Sequence, residues 1–161
     1  VLHSVIAPGC VADTECMMPE RCDDFVCRPA PSSDRCAGDL VPLVNGQAII
    51  QGSTGAAHDD FVSNTCGSTR NGQDVVYAID VPAGTSELRA RITRATWDPI
   101  LAIRYDLCAS ATAEQVCNDD SVPGVSLLPD VRIAAPRAGR YYVVVDAYQG
   151  AGPFTLQVST N

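Results

Sequence analysis

Carboxylates at turn positions are the residues of this chain best placed to do chemistry. Asp119 and Asp120 close the stretch Cys117-Asn118-Asp119-Asp120, Asp98 opens a run of alternating apolar residues, and Asp59 and Asp60 follow His58 in a long polar loop. Hard oxygen ligands offered from several loops are what Ca²⁺ requires, so these five are candidate metal ligands. Their spacing is not that of an EF-hand, and a cation would have to be held by loops that meet in space. Asp is also a common turn residue whose side chain bonds nearby backbone N–H groups, a role that needs no metal.

Nucleophilic catalysis has little to work with. His3 and His58 are the only histidines, no Gly-x-Ser-x-Gly context surrounds a serine, and eight cysteines pair without remainder. All 11 basic residues are Arg, so no Lys is available as a Schiff-base nucleophile. A glycosidase-type carboxylate pair needs one acid in an apolar pocket, which no pattern here defines. The expectation is a chain that is not an enzyme. Trp97, Tyr105, Tyr141, Tyr142 and Tyr148 could instead form a stacking platform for a sugar or peptide. Tyr142 and Tyr148 lead that group because they share the less apolar face of their strand; packing in the core is the competing role.

The elements that must position these groups are short strands. From Tyr141 the side chains alternate, with Tyr141, Val143, Val145 and Ala147 on one face and Tyr142, Val144, Asp146 and Tyr148 on the other. After Gln149-Gly150-Ala151-Gly152-Pro153 the chain returns with Phe154, Leu156 and Val158 on one face, which predicts a closing β-hairpin. Upstream, strands are predicted at 48–53, 74–81, 87–93, 100–105 and from 131, with Val75, Tyr77, Ile79 and Val81, and Leu88, Ala90 and Ile92, facing the core. The stretch between Cys108 and Cys117 reads as a loop. Seven or eight strands at intervals of about ten residues, with no helix of ordinary length, predict an all-β, jelly-roll-like antiparallel sandwich.

Composition narrows the class further. A net charge of −8 argues against a nucleic-acid partner, and no run of 18 apolar residues could span a membrane. Cys10, Cys16, Cys22 and Cys27 lack the two-residue spacing of zinc knuckles, and an even count of cysteines fits disulfides in an oxidising compartment. Four cysteines in 18 residues with almost no other core material predict a stapled segment over residues 1–28. Three pairings are possible within it, Cys10–Cys22 with Cys16–Cys27 being preferred because interleaved bridges staple a short loop best. Pro29, Pro31, Ser32 and Ser33 predict a linker over 29–35, followed by a sandwich domain over 36–161. No leader peptide is visible, as expected of a mature or trimmed chain.

Five stretches together resemble the bacterial pre-peptidase C-terminal domain, in the right order over about Cys36 to Thr160. They are Asp74-Val75-Val76-Tyr77, Asp98-Pro99-Ile100-Leu101-Ala102-Ile103, Cys117-Asn118-Asp119-Asp120, Ala138 to Asp146, and Gly152-Pro153-Phe154-Thr155-Leu156. The resemblance implies a jelly-roll-like sandwich of the kind carried by secreted bacterial enzymes and surface proteins, some of which bind calcium and an extracellular ligand, as the collagen-binding domains of secreted collagenases do. By analogy with that pattern, Cys36 would join Cys66 and Cys108 would join Cys117. The cysteine-rich lead is similar to short segments that precede such domains in predicted secreted proteins of myxobacteria.

The functional expectation is a secreted or cell-surface module for binding or adhesion, presenting a rigid sandwich to an extracellular polymer or protein, with Ca²⁺ fixing its loops. The alternative is a structural subunit that assembles with copies of itself into a surface layer or filament.

Overall fold

Period-two alternation gives each strand of this chain one apolar face, and burying all of those faces at once requires two sheets laid face to face. The computed structural model describes residues 15–17, 20–23, 26–66 and 72–161. Its strands are β1 (Glu20–Asp23), β2 (Val26–Pro29), β3 (Asp39–Leu40), β4 (Gln47–Ser53), β5 (Val75–Val81), β6 (Glu87–Ala95), β7 (Asp98–Tyr105), β8 (Glu114–Asn118), β9 (Asp130–Ala134), β10 (Gly139–Gln149) and β11 (Pro153–Thr160). One sheet runs β3-β5-β10-β7-β8 and the other β4-β11-β6-β9, while β1 and β2 form a separate hairpin. All pairings are antiparallel except that of the short β3 with β5. The expected all-β sandwich is therefore present.

Between the sheets lie Val75, Tyr77, Ile79, Leu101, Ile103, Tyr141, Val143 and Val145 from the first and Leu88, Ala90, Ile92, Val131, Phe154, Leu156 and Val158 from the second. Each fully buried Ile, Leu or Val of this layer contributes about 1.5–3 kcal/mol from removal of its apolar surface from water.

The last two strands do not form the predicted hairpin. β10 is the central strand of the five-stranded sheet, between β5 and β7, whereas β11 lies between β4 and β6 in the other. The chain crosses the sandwich through Gly150, Ala151 and Gly152, whose two glycines take positive φ (86° and 145°). Inward-facing apolar residues serve a hairpin partner and a facing strand equally well, so the alternation alone did not distinguish the two. β8 was also missed, because Glu114-Gln115-Val116-Cys117-Asn118 is short, edge-lying and only partly buried.

The first sheet is covered on its outer side as well. Phe61 from the loop after β4 packs on Val76, Ala78, Ala102, Tyr142 and Val144. Tyr142 is thus buried, 8% exposed, and is no surface platform; only Tyr148, at 42%, is exposed. Arg104 fixes the covering loop by donating to the carbonyls of Val62 and Cys108, both at 2.7 Å, with its guanidinium 4.9 Å from the centre of the Phe61 ring.

Two disulfides fasten the same layer, and their pairing corrects the one inferred by analogy. Cys36 joins Cys108 and Cys66 joins Cys117. Cys117 stands in register with Ala102 on β8, facing the loop that carries Cys66, whereas Cys108 lies beyond the end of β7, where Cys36 enters the sheet. Each bridge therefore ties an upstream segment to a β7–β8 neighbour and spans far more chain than a local staple. Cys16 joins Cys27 as expected. Cys22 is also disulfide-bonded, but Cys10, its expected partner, lies outside the described residues. In the stretch read as a linker, Ser33 and Asp34 are buried at 4% and 2% exposure.

Candidate functional site

Antiparallel pairing of β7 with β8 sets Leu101 opposite Asn118, which brings the start of one strand beside the end of the other. Asp98, the first residue of β7, thereby meets Asp119 and Asp120, which follow β8. One carboxylate oxygen from each of the three lies within 4.8 Å of the others. Asn118 holds the turn: its Nδ2 donates to the Asp120 carbonyl at 3.1 Å, and its Oδ1 accepts from the Asp130 N–H at 3.1 Å. The Cys66–Cys117 bridge clamps the preceding strand.

The electrostatics of this group are unbalanced. The Oδ1 atoms of Asp98, Asp119 and Asp120 are buried and have no hydrogen-bond partner. Burial, followed by the negative charge of Asp120, raises the Asp98 pKa; burial, then Asp98 and Asp120, raises that of Asp119. Buried polar atoms are ordinarily satisfied, and three convergent carboxylates, each with an unpartnered oxygen, fit a hard cation. Beside them opens a cleft of about 550 Å³ lined by Trp97, Asp98, Leu127, Leu128, Gln149 and Gly150 among others. Trp97 forms one wall, its Nε1 donating to the Pro153 carbonyl at 3.0 Å and its ring set edge-on to Phe154. The β8–β9 loop at this end carries exposed Val122, Val125 and Leu127.

The five acids anticipated as ligands do not form one group. Asp60 belongs to a second cluster with Asp34 and His58, and Asp59 lies near Asp146, whose pKa its charge raises. This second cluster anchors the covering loop. The Asp34 carboxylate accepts the His58 backbone N–H and meets His58 Nδ1 at 2.7 Å. Asp74 Oδ2 accepts the N–H groups of Asp60 and Phe61 at 2.8 and 2.9 Å.

Asp74 and Asp146 are the acids that sequence reasoning passed over. Both are buried, at 0% and 3% exposure. Burial pushes Asp74 up to about 8, against the backbone hydrogen bonds that oppose it and with help from Asp146. Burial likewise pushes Asp146 up to about 7. The available signal was an acid inside the apolar run Val143-Val144-Val145-Asp146-Ala147.

No family model matches the chain, and no curated protein matches it in sequence. Among solved structures the chain is similar to Aeromonas hydrophila PliG, a periplasmic lysozyme inhibitor of g-type lysozyme. That likeness has a TM-score of 0.51 and 16% identity, covering 76% of this chain and 95% of that one. It is also similar to the pre-peptidase C-terminal domain of collagenase from Bacillus anthracis, with a TM-score of 0.46 and 16% identity, over 83% of this chain and 98% of that one. The first likeness is one of fold; the second is to the domain type that the sequence motifs resemble.

Proposed function

We propose that the chain is a secreted or surface-exposed, non-catalytic binding module whose ligand end is organised by Ca²⁺ at Asp98, Asp119 and Asp120. The observation that carries this reading is the convergence of three carboxylates, each of which has a buried Oδ1 with no hydrogen-bond partner among the described residues. A divalent ion there would offset the mutual repulsion of the three carboxylates and fix the β8–β9 loop, leaving coordination positions for water or a ligand oxygen. The extracellular polymer or protein it binds would lie in the adjoining cleft, against Trp97 and the apolar loop tip. Disulfides between distant segments support an oxidising, extracytoplasmic location.

The test is the melting temperature of the non-reduced protein in millimolar calcium and in chelator. A ligand that binds only the folded state raises it. We expect a rise in the unaltered chain and none in D98N/D119N; an unchanged melting temperature in the unaltered chain sinks the calcium reading.

One observation favours self-assembly as a second reading. β4, Gln-Ala-Ile-Ile-Gln-Gly-Ser, ends its sheet with neither charge nor proline to discourage edge pairing. Light scattering that gives a monomer at high concentration removes it.

A further inference from the structure

Four of the eleven arginines, Arg89, Arg91, Arg94 and Arg132, stand on the outer face of the four-stranded sheet. The alternation that buries Leu88, Ala90 and Ile92 sends Arg89 and Arg91 outward. The register shift near Thr155 then turns Arg94 to the same side, opposite Thr155. Arg132 on β9 lies directly across from Arg89. Like charges set opposite each other on one sheet face oppose folding; Asp130 offsets this between Arg89 and Arg132, whereas Arg91 and Arg94 have no carboxylate partner among the described residues.

Only Asp130 and Glu87 supply negative charge to the strands of this face. Asp130 is taken up by Arg89, through two hydrogen bonds, and lies 3.7 Å from Arg132. Arg91 donates through Nε and Nη2 to the neutral Gln157 Oε1, at 2.9 and 2.6 Å, which orients its fork without cancelling its charge. Arg94 has no carboxylate partner among the described residues. The face is therefore net positive on a chain of net charge −8.

Around the guanidiniums the surface is amide and hydroxyl. Thr155 Oγ1 donates to Gln51 Oε1 at 2.9 Å, and Thr93 donates to the Thr155 carbonyl. Two shallow hollows flank the arginines. One, about 340 Å³, is lined by Gln51, Arg94, Thr96 and Thr155 among others; the other, about 330 Å³, by Arg91, Thr93, Ser121 and Ser126 among others.

We propose that this face binds a linear polysaccharide bearing carboxylates, laid across the strands from the Arg94 hollow to the Arg91 hollow. Guanidinium forks pair with carboxylates in two-point geometry, and the Gln, Thr and Ser groups match sugar hydroxyls. An acidic peptide would find the charge and a few apolar contacts, Ile49 on the face and Phe154, Pro153, Leu128 and Pro129 at the hollows, but the groups nearest the guanidiniums are the amides and hydroxyls that suit a sugar chain. The Arg94 hollow adjoins the aspartate cleft, sharing Ala95 and Thr96 with it, but the guanidiniums need no calcium.

The experiment is affinity electrophoresis of the full non-reduced chain through polygalacturonate, in chelator, at low and high salt. We expect retention that weakens as salt screens the charges. R91Q/R94Q should bind at least about tenfold more weakly, since two charge-assisted pairs with the polymer's carboxylates are lost. R137Q, altered at an exposed arginine off this face, should be unaffected, and R132Q, whose side chain is half-exposed, provides a second face variant with little at stake for folding. Full retention by R91Q/R94Q and R132Q, or no retention of the unaltered chain, overturns the proposal. Equal retention by polyglutamate overturns the assignment to polysaccharide.

Discussion

Asp146 on β10 lies one step beyond the register pair Val145 and Val75, beside Asp74 at the foot of β5, and its charge adds to burial in holding the Asp74 carboxyl protonated up to about 8. Both groups have folded pKa values above the ordinary 3.8. Between pH 4 and 8 the folded chain therefore binds more protons than the unfolded one, and stability falls as pH rises. The stabilisation is present in full below the unfolded pKa and is lost as pH passes about 7 and then about 8.

Replacing Asp74 by Asn keeps an oxygen for the Asp60 and Phe61 N–H groups and removes the titration. In chelator, the margin of D74N over the unaltered chain should grow between pH 5 and pH 9 by more than about 1.4 kcal/mol, the worth of one pKa unit. Urea denaturation at the two pH values measures this. An equal fall in both proteins would place the pH dependence elsewhere.

Arg104 is the pin of the covering loop. R104A loses two hydrogen bonds to loop and turn carbonyls and the contact with Phe61, and should cost about 3 kcal/mol. Amide exchange should quicken first around residues 58–63. Uniform quickening across β10 would mean that the loop and sheet open as one unit.

The two tyrosines on the outer side of β10 should behave oppositely. Y142A removes a ring packed under Phe61 and should cost about 3–5 kcal/mol, whereas Y148A, at an exposed position, should change stability by less than about 0.5 kcal/mol. Thermal melts compare them directly.

Non-reducing peptide mapping should recover Cys36 with Cys108 and Cys66 with Cys117. Opening the latter, with a separation of 51 residues, as C66S/C117S should cost about 4 kcal/mol in the chain-entropy estimate. A cost near zero would mean that the closed loop is already restricted in the unfolded chain.

Local patterns carried much of this architecture. The inward sets on β5, β6, β10 and β11 were readable because period-two alternation reports one buried face, whatever covers it. Asp98, Asp119 and Asp120 were readable as a set because each borders a strand or a cysteine. What alternation cannot report is which strand lies opposite, and so β10 and β11 were read as a hairpin although they sit in separate sheets. Nor can it report a second cover. Tyr142, Val144 and Asp146 form the less apolar face of their strand until Phe61 and Arg104, about eighty and about forty residues upstream, are brought over them. The disulfide partners depended on the same long-range layer, and the spacing of Cys36, Cys66, Cys108 and Cys117 holds no trace of it.

The crossing between β10 and β11 also orders events in time. The central strand of the five-stranded sheet, β10, and one of the two inner strands of the other, β11, come last among the strands. Until β10 has been made β5 lacks its link to β7, and until β11 has been made β4 lacks its link to β6. Before β10 and β11 are made, only the β1–β2, β3–β5, β6–β9 and β7–β8 pairs can form, and joining them into two layers depends on contacts between distant segments.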